Sequence, residues 1–304
     1  MAAIGGRHPL GTSAALHRRR RIDRLMRGSA TAAAILAVAI LGIMIGTVVV
    51  NGASELSIAF LIKDPPGGSL VGVAGGGIAN AIVGSALLVV VATAIALPVG
   101  VLIAVYLTEF STPRTARPIR MALDLLNGLP TIVTGIFVFG LLVASHGQSG
   151  IAASVALAVV ILPLITRTTQ EILLLVPKEL RDAAHALGVS RWRTIAGVVL
   201  PGALGGILTG VVLAVARAAG ETAPLLLTDS IFSARTSINV FGAAIPNIPI
   251  DIFSYSESPF PAEHAKAWGA ALVLIAMILL GNLTARAMLS RQRRRLGWMP
   301  TSQR

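Results

Sequence analysis

Two groups of residues in this 304-residue sequence have types and spacing suited to chemistry. The first is Arg217 and Glu221, four residues apart at the end of a long apolar stretch. On a helix that spacing stacks the two side chains on one face. A guanidinium offers a planar fork of donors that matches an oxyanion, and a neighbouring carboxylate would hold it and limit how tightly an anion binds. The same pair could equally close a structural salt bridge near an interface. Asn127, Thr131 and Thr134 supply amide and hydroxyl groups that could line the same path, or satisfy the backbone freed by Pro130. The second group is Glu179, Asp182, Ala183, Ala184, Leu187, Gly188 and Arg191. Good helix formers over 180–187 predict a short helix. Gly188 supplies the positive φ that ends it, and Ser190 stands where it could cap a second helix. Such a helix, joined covalently to a membrane span, can act as a lever.

Other chemistry is missing from the pattern. Zero cysteines exclude a disulfide framework and a thiolate nucleophile. A P-loop needs Gly-Lys before Ser or Thr, and none of the lysines (Lys63, Lys178, Lys266) follows a glycine. His8, His17, His146, His185 and His264 include no pair at metal-ligand spacing. The expectation is a subunit that is not catalytic alone, with no cofactor or metal of its own.

The elements that must position these residues follow from composition. Hydrophobic residues make up 55% of the chain and charged ones only 12%, with a mean hydropathy of +0.81. Soluble domains carry about 25% charged residues, so the bilayer is the expected solvent. A helix needs about 20 apolar residues to cross it. Charge-free stretches at 28–54, 65–108 and 125–166, with further apolar runs at 194–216 and 267–285, provide six crossings, the third and fourth joined by a polar turn at 145–150. The first is too long for a signal peptide and is expected to stay as an anchor. Pro98, Pro130, Pro163 and Pro201 fall within spans two to five and predict kinks. The GxxxG pairs Gly42/Gly46, Gly202/Gly206 and Gly206/Gly210 predict close helix contacts. Asp124 is expected to pair with Arg120 one turn away or to cap locally, rather than to touch substrate.

Net charge is +12, and its distribution sets the orientation. Six crossings put both termini on one side. That side carries 21 Lys and Arg, including the block Arg18 to Arg21, against Lys63, Arg235 and Lys266 on the other. The positive-inside rule makes it cytoplasmic, and beside a span the basic block marks that side rather than a nucleic-acid contact. Trp192 and Trp268 fall at opposite span ends, where indoles favour the interface. The expected organisation is a basic cytoplasmic tail over 1–28, a transmembrane domain over 29–289 with its core at 70–287, and a second basic tail over 290–304. Within the domain, 177–193 forms a cytoplasmic loop and 222–265 an external loop with re-entrant or interfacial pieces.

The cytoplasmic loop resembles the EAA loop of ABC importer permeases, written E-A-A-x3-G-x9-I-x-L-P. Here Asp182-Ala183-Ala184 is followed by three residues, Gly188, nine residues, and Val198-Val199-Leu200-Pro201. Asp replaces Glu and Val replaces Ile, with the register unchanged. The runs Gly76-Gly77-Ile78, Tyr106-Leu107-Thr108-Glu109, Leu126-Asn127-Gly128-Leu129-Pro130-Thr131 and Gly220-Glu221-Thr222-Ala223-Pro224 are similar to those of phosphate-transporter permease A subunits. The resemblance implies an all-α, MetI-like permease fold. It also implies several partners: a second related permease, two ATPase subunits that bind the ATP, and an extracytoplasmic phosphate-binding protein. The implied activity is ATP-driven phosphate import by alternating access. A permease for another oxyanion, such as phosphonate or sulfate, and a non-transporting membrane signalling or assembly protein are the alternatives.

Overall fold

The structure, a computed structural model, describes residues 13–65, 76–230 and 236–295. All regular elements among them are helical. In order they are α1 (Ser13–Gly52), α2 (Ile58–Ile62), α3 (Ala79–Val105), α4 (Pro113–Gly128), α5 (Thr131–Val138), α6 (Ala144–His146) and α7 (Gly150–Leu174). Then follow α8 (Lys178–Ala186), α9 (Arg191–Thr194), α10 (Leu200–Ala219), α11 (Ala223–Thr228), α12 (Ile248–Ser256) and α13 (Pro261–Arg295). Three π-helical turns extend this framework: Tyr106–Phe110 prolongs α3, Phe139–Val143 joins α5 to α6, and Ile195–Val199 joins α9 to α10. Parts of the two basic tails, and Arg235 in the external loop, lie outside the described residues.

The chain divides into two units, one ending at Val50 and the other starting at Asn51. The first is the long helix α1, whose apolar window is sufficient to cross a bilayer. In the second, α3 and α7 form the central pair. Small residues make this possible: Ala92 and Ala96 of α3 meet Ala153, Ala158 and Ile161 of α7 in one buried cluster. In lipid no hydrophobic drive pushes helices together, so close backbone approach and van der Waals contact must do it. The Gly206/Gly210 pair serves this purpose on α10. A Cβ at Gly206 would meet Ile172 at 2.6 Å, and one at Gly210 would meet Thr168 Oγ1 at 2.4 Å, both on α7.

Five helical runs are long and apolar enough to span: residues 17–55, 79–110, 150–174, 191–219 and 261–287. The sixth crossing differs from the expected continuous span beginning at 125. Pro113–Gly128 and Thr131–His146 meet at a bend of 103°. Pro130 causes it, because the residue before a proline is pushed out of the α region, and Leu129 accordingly sits at φ −71°, ψ 139°. Residues 113–128 instead form an amphipathic helix, opened by a capping box between Thr112 and Thr115. Pro98 and Pro163 lie inside α3 and α7. Pro201 is the second residue of α10, just after the π turn Ile195–Val199, in the first turn where a missing N–H is tolerated.

The segment between α10 and α13 enters the bundle. Residues 244–250 are buried throughout. The Pro246 carbonyl approaches α3 so closely that a Cβ at Gly84 would lie 1.8 Å from its oxygen. Ile248 N–H donates to Ser85 Oγ at 2.8 Å. Within the apolar 236–250 stretch, residues 244–250 are thus an inward-folded piece seated on α3, while most of 236–243 stays exposed.

Candidate functional site

The loop after α7 folds into a compact element. Pro177 occupies the N-cap position of α8. At the other end Val189 N–H donates to Ala184 O at 3.1 Å and Gly188 N–H to His185 O at 2.9 Å, with Gly188 at φ +73°. This is a Schellman ending, and it requires a residue that accepts the left-handed region. Glu179, Asp182 and Ala183 of α8 and Leu187 at its C-cap are all exposed, and their spacing puts them on one side of the helix. Ala184 is buried behind them. Leu187 is 83% exposed, an apolar side chain presented to the outside with carboxylates beside it.

What anchors this element is a residue that sequence reasoning passed over. Arg181, on the inward side of α8, donates from Nε and Nη2 to Glu109 Oε1 at 3.1 and 2.9 Å. It also donates to Leu173 O at 2.9 Å and Val176 O at 2.7 Å. Leu173 is in the last turn of α7 and Val176 lies just past it, at the end where the helix dipole is negative. One guanidinium therefore ties α8 to both α3 and α7. Its signal in the sequence was faint: Glu109 is a lone acid closing an apolar run of more than forty residues. The joint continues at Phe110, whose ring lies 4.7 Å from that of Trp192 and 4.8 Å from the Arg191 guanidinium carbon. Ser190 stands at the N-cap of α9 but its side chain makes no capping bond there. Asp124 pairs with Arg167 of α7 rather than with Arg120. The corner at Pro130 lays α4 against α7, which brings Arg167 to Asp124 although Arg120 stands one turn away on the same side of α4.

The second candidate group is only partly gathered. Arg217 is in the last turn of α10, and Glu221 lies just beyond the helix end. Arg217 Nε is 3.4 Å from Glu221 Oε1, with side-chain exposures of 46% and 16%. Neither terminal nitrogen of Arg217 makes a hydrogen bond among the described residues. Thr134 is buried, Thr131 half-buried and Asn127 exposed. Next to Thr134, Gly135 packs against Pro224 Cα, which a Cβ would approach to 2.8 Å. The helix of Thr131 and Thr134 therefore abuts the turn that follows Glu221. Asn127 is separated from them by the corner at Pro130.

A third polar group, unforeseen from sequence, lies in the inserted segment. Asp229, fully buried, accepts from Ile245 N–H at 2.7 Å and Asn247 Nδ2 at 3.4 Å. Asn247 in turn caps α12 through Ile250 N–H. Burial pushes the Asp229 carboxyl up to about 8 against these two donors, and burial lifts Asp251 to about 7. Asp229 braces the segment from within, whereas Asp251 Oδ2 is buried without a hydrogen-bond partner among the described residues.

This arrangement is a helical bundle with three π turns, a tethered surface helix at one end and a plugged segment at the other. Residues 96–297 match the family model described as binding-protein-dependent transport system inner membrane component. The phosphate transport system permease protein PstA of Yersinia pestis is 40% identical over 248 residues, covering 81% of this chain and 82% of that one. PstA 1 of Mycobacterium tuberculosis (strain CDC 1551 / Oshkosh) is 40% identical over 212 residues, 69% of each. In fold, a chain of the inward-facing MetNI methionine ABC transporter is similar with a TM-score of 0.55 at 18% identity, over 70% of this chain and 93% of that one. The chain belongs to the binding-protein-dependent transport system inner membrane component family, and within it to the PstA-type permeases.

Proposed function

We propose that this chain is a membrane-spanning subunit of an ATP-driven importer that carries inorganic phosphate across the cytoplasmic membrane by alternating access. The observation that carries the reading is α8. It presents Glu179, Asp182, Ala183 and Leu187 outward while Arg181 locks its other side to α3 and α7. An ATPase subunit gripping that outer face would transmit its movement through the Gly188 turn and Arg191 into the helical run 191–219. Two such motors, a second related permease and an external phosphate-binding protein complete the complex in this reading, with both termini of this chain cytoplasmic. ATP would be bound by the motors alone. The phosphate assignment draws on the relatives named phosphate transport system permease protein.

Arg217 would present its two terminal nitrogens to a phosphate oxyanion while Glu221 holds Nε, with Thr131 and Thr134 on the neighbouring helix and Asn127 at its approach. The deciding experiment is labelled-phosphate uptake in a strain lacking this subunit, complemented with wild type, Asp182→Lys or Arg217→Gln. Wild type restores uptake. Asp182→Lys abolishes uptake and co-purification of the ATPase, whereas Arg217→Gln abolishes uptake with the complex intact. Normal transport by Asp182→Lys would refute the coupling role. Stronger competition by phosphonate or sulfate than by unlabelled phosphate would reassign the cargo.

A further inference from the structure

The amphipathic helix α4 has three distinct faces. Ala116, Ile119 and Leu123 turn inward against Leu107 and Ile103. Nearly opposite, Met121 and Leu125 are 54% and 62% exposed. Between these two faces run Arg117 and Arg120, while Arg114 heads the Met121 and Leu125 stripe; all three are exposed and, among the described residues, outside every ion pair. Arg117 and Arg120 border an open groove of about 540 Å³ between the π turn and α4, together with Ser111, Met121 and Asp124. Asp124 does not cancel their charge, because it is already opposed by Arg167.

From these faces we propose that α4 is an interfacial helix whose groove at Arg117 and Arg120 seats the headgroup of an anionic phospholipid of the inner leaflet, with Met121 and Leu125 among the acyl chains. Three observations converge on lipid. The bend of 103° between α4 and the helix after it means that, if Thr131–His146 crosses the bilayer, α4 lies close to the membrane plane. An exposed apolar strip flanked by arginines is the pattern of a helix lying at the headgroup boundary. Asp124–Arg167 and Glu109–Arg181 put α4 at the same end of the bundle as the basic residues Lys178, Arg191 and Arg193. Basic loops mark the cytoplasmic side, whose leaflet carries the anionic lipids. The proposal rests on the membrane reading and on that orientation, not on phosphate being the cargo.

The test uses the full-length chain in nanodiscs of equimolar phosphatidylcholine and phosphatidylglycerol, with Leu125→p-benzoylphenylalanine as a photocrosslinker and mass spectrometry of the adducts. Phosphatidylglycerol adducts should exceed phosphatidylcholine adducts by about fivefold for each arginine engaged. Arg117→Gln with Arg120→Gln should bring the ratio to parity, and the paired Lys substitutions should preserve it. Excess inorganic phosphate should leave it unchanged. Parity in the wild type, loss of the preference on adding phosphate, loss in the Lys pair, or adducts mainly to a protein chain would each overturn the proposal. None of these results bears on the uptake experiment above, so the two readings fail separately.

Discussion

Arg181 illustrates how one side chain sets the stability of a joint. Its side chain is 17% exposed and that of Glu109 10%, so the pair is largely removed from water and each charge needs the other. Replacing one partner of a buried pair costs about 3–5 kcal/mol, because the remaining charge stays uncompensated. Arg181→Met should therefore lower the thermal stability of the detergent-solubilised chain by about that amount, and it would also take one donor from each of the Leu173 and Val176 carbonyls. Glu109→Gln should be milder, at about 1–3 kcal/mol, since the arginine keeps its two backbone acceptors. Equal losses for the two variants would contradict this hierarchy.

Turns and close approaches govern the elements. At Gly188 a Cβ would meet nothing within 4 Å, so any penalty for substitution comes from its φ of +73°. Gly188→Ala should cost about 1–2 kcal/mol and weaken uptake. Gly188→Pro, which cannot reach that φ and loses the N–H to His185 O, should abolish uptake while the protein still inserts; transport at the wild-type rate would refute the lever. Gly84 tests the opposite situation, a steric one. With the Pro246 oxygen 1.8 Å from a built Cβ, Gly84→Ala must expel residues 244–250 from their seat on α3. The expected result is new protease cleavage near residue 246 with the remaining spans still protected.

At the scale of the whole molecule, the two buried carboxyls make stability depend on pH. In the unfolded chain Asp229 and Asp251 ionise near the ordinary 3.8; in the folded chain they hold their protons to about 8 and about 7. Between those limits the folded state binds more protons than the unfolded one, so stability falls as pH rises. It is fully present below about 4 and the loss is complete above about 8. Thermal unfolding of the solubilised chain should show the midpoint falling across that window, with the slope reduced in Asp229→Asn. A midpoint rising from pH 5 to 8 would show that these carboxyls are ionised in the folded protein.

The sequence by itself determined the solvent, the helical class, the order of the crossings and the short helix with its glycine turn. Each depends on contiguous residues: insertion into a bilayer sums over about 20 neighbours, and a helix ending is decided within one turn. The family was legible for the same reason, from the spacing of Asp182, Gly188 and Pro201. Only the tertiary structure decided which charges meet. Arg181 reaches Glu109 across 72 positions, Asp124 takes Arg167 instead of its neighbour Arg120, and Asp229 is buried by the inward-folded piece of a loop whose re-entrant parts had no residue bounds in the sequence. Partners of that kind are chosen by where helices cross, and the crossings depend on small residues such as Gly84, Gly206 and Gly210 meeting surfaces far away in the chain.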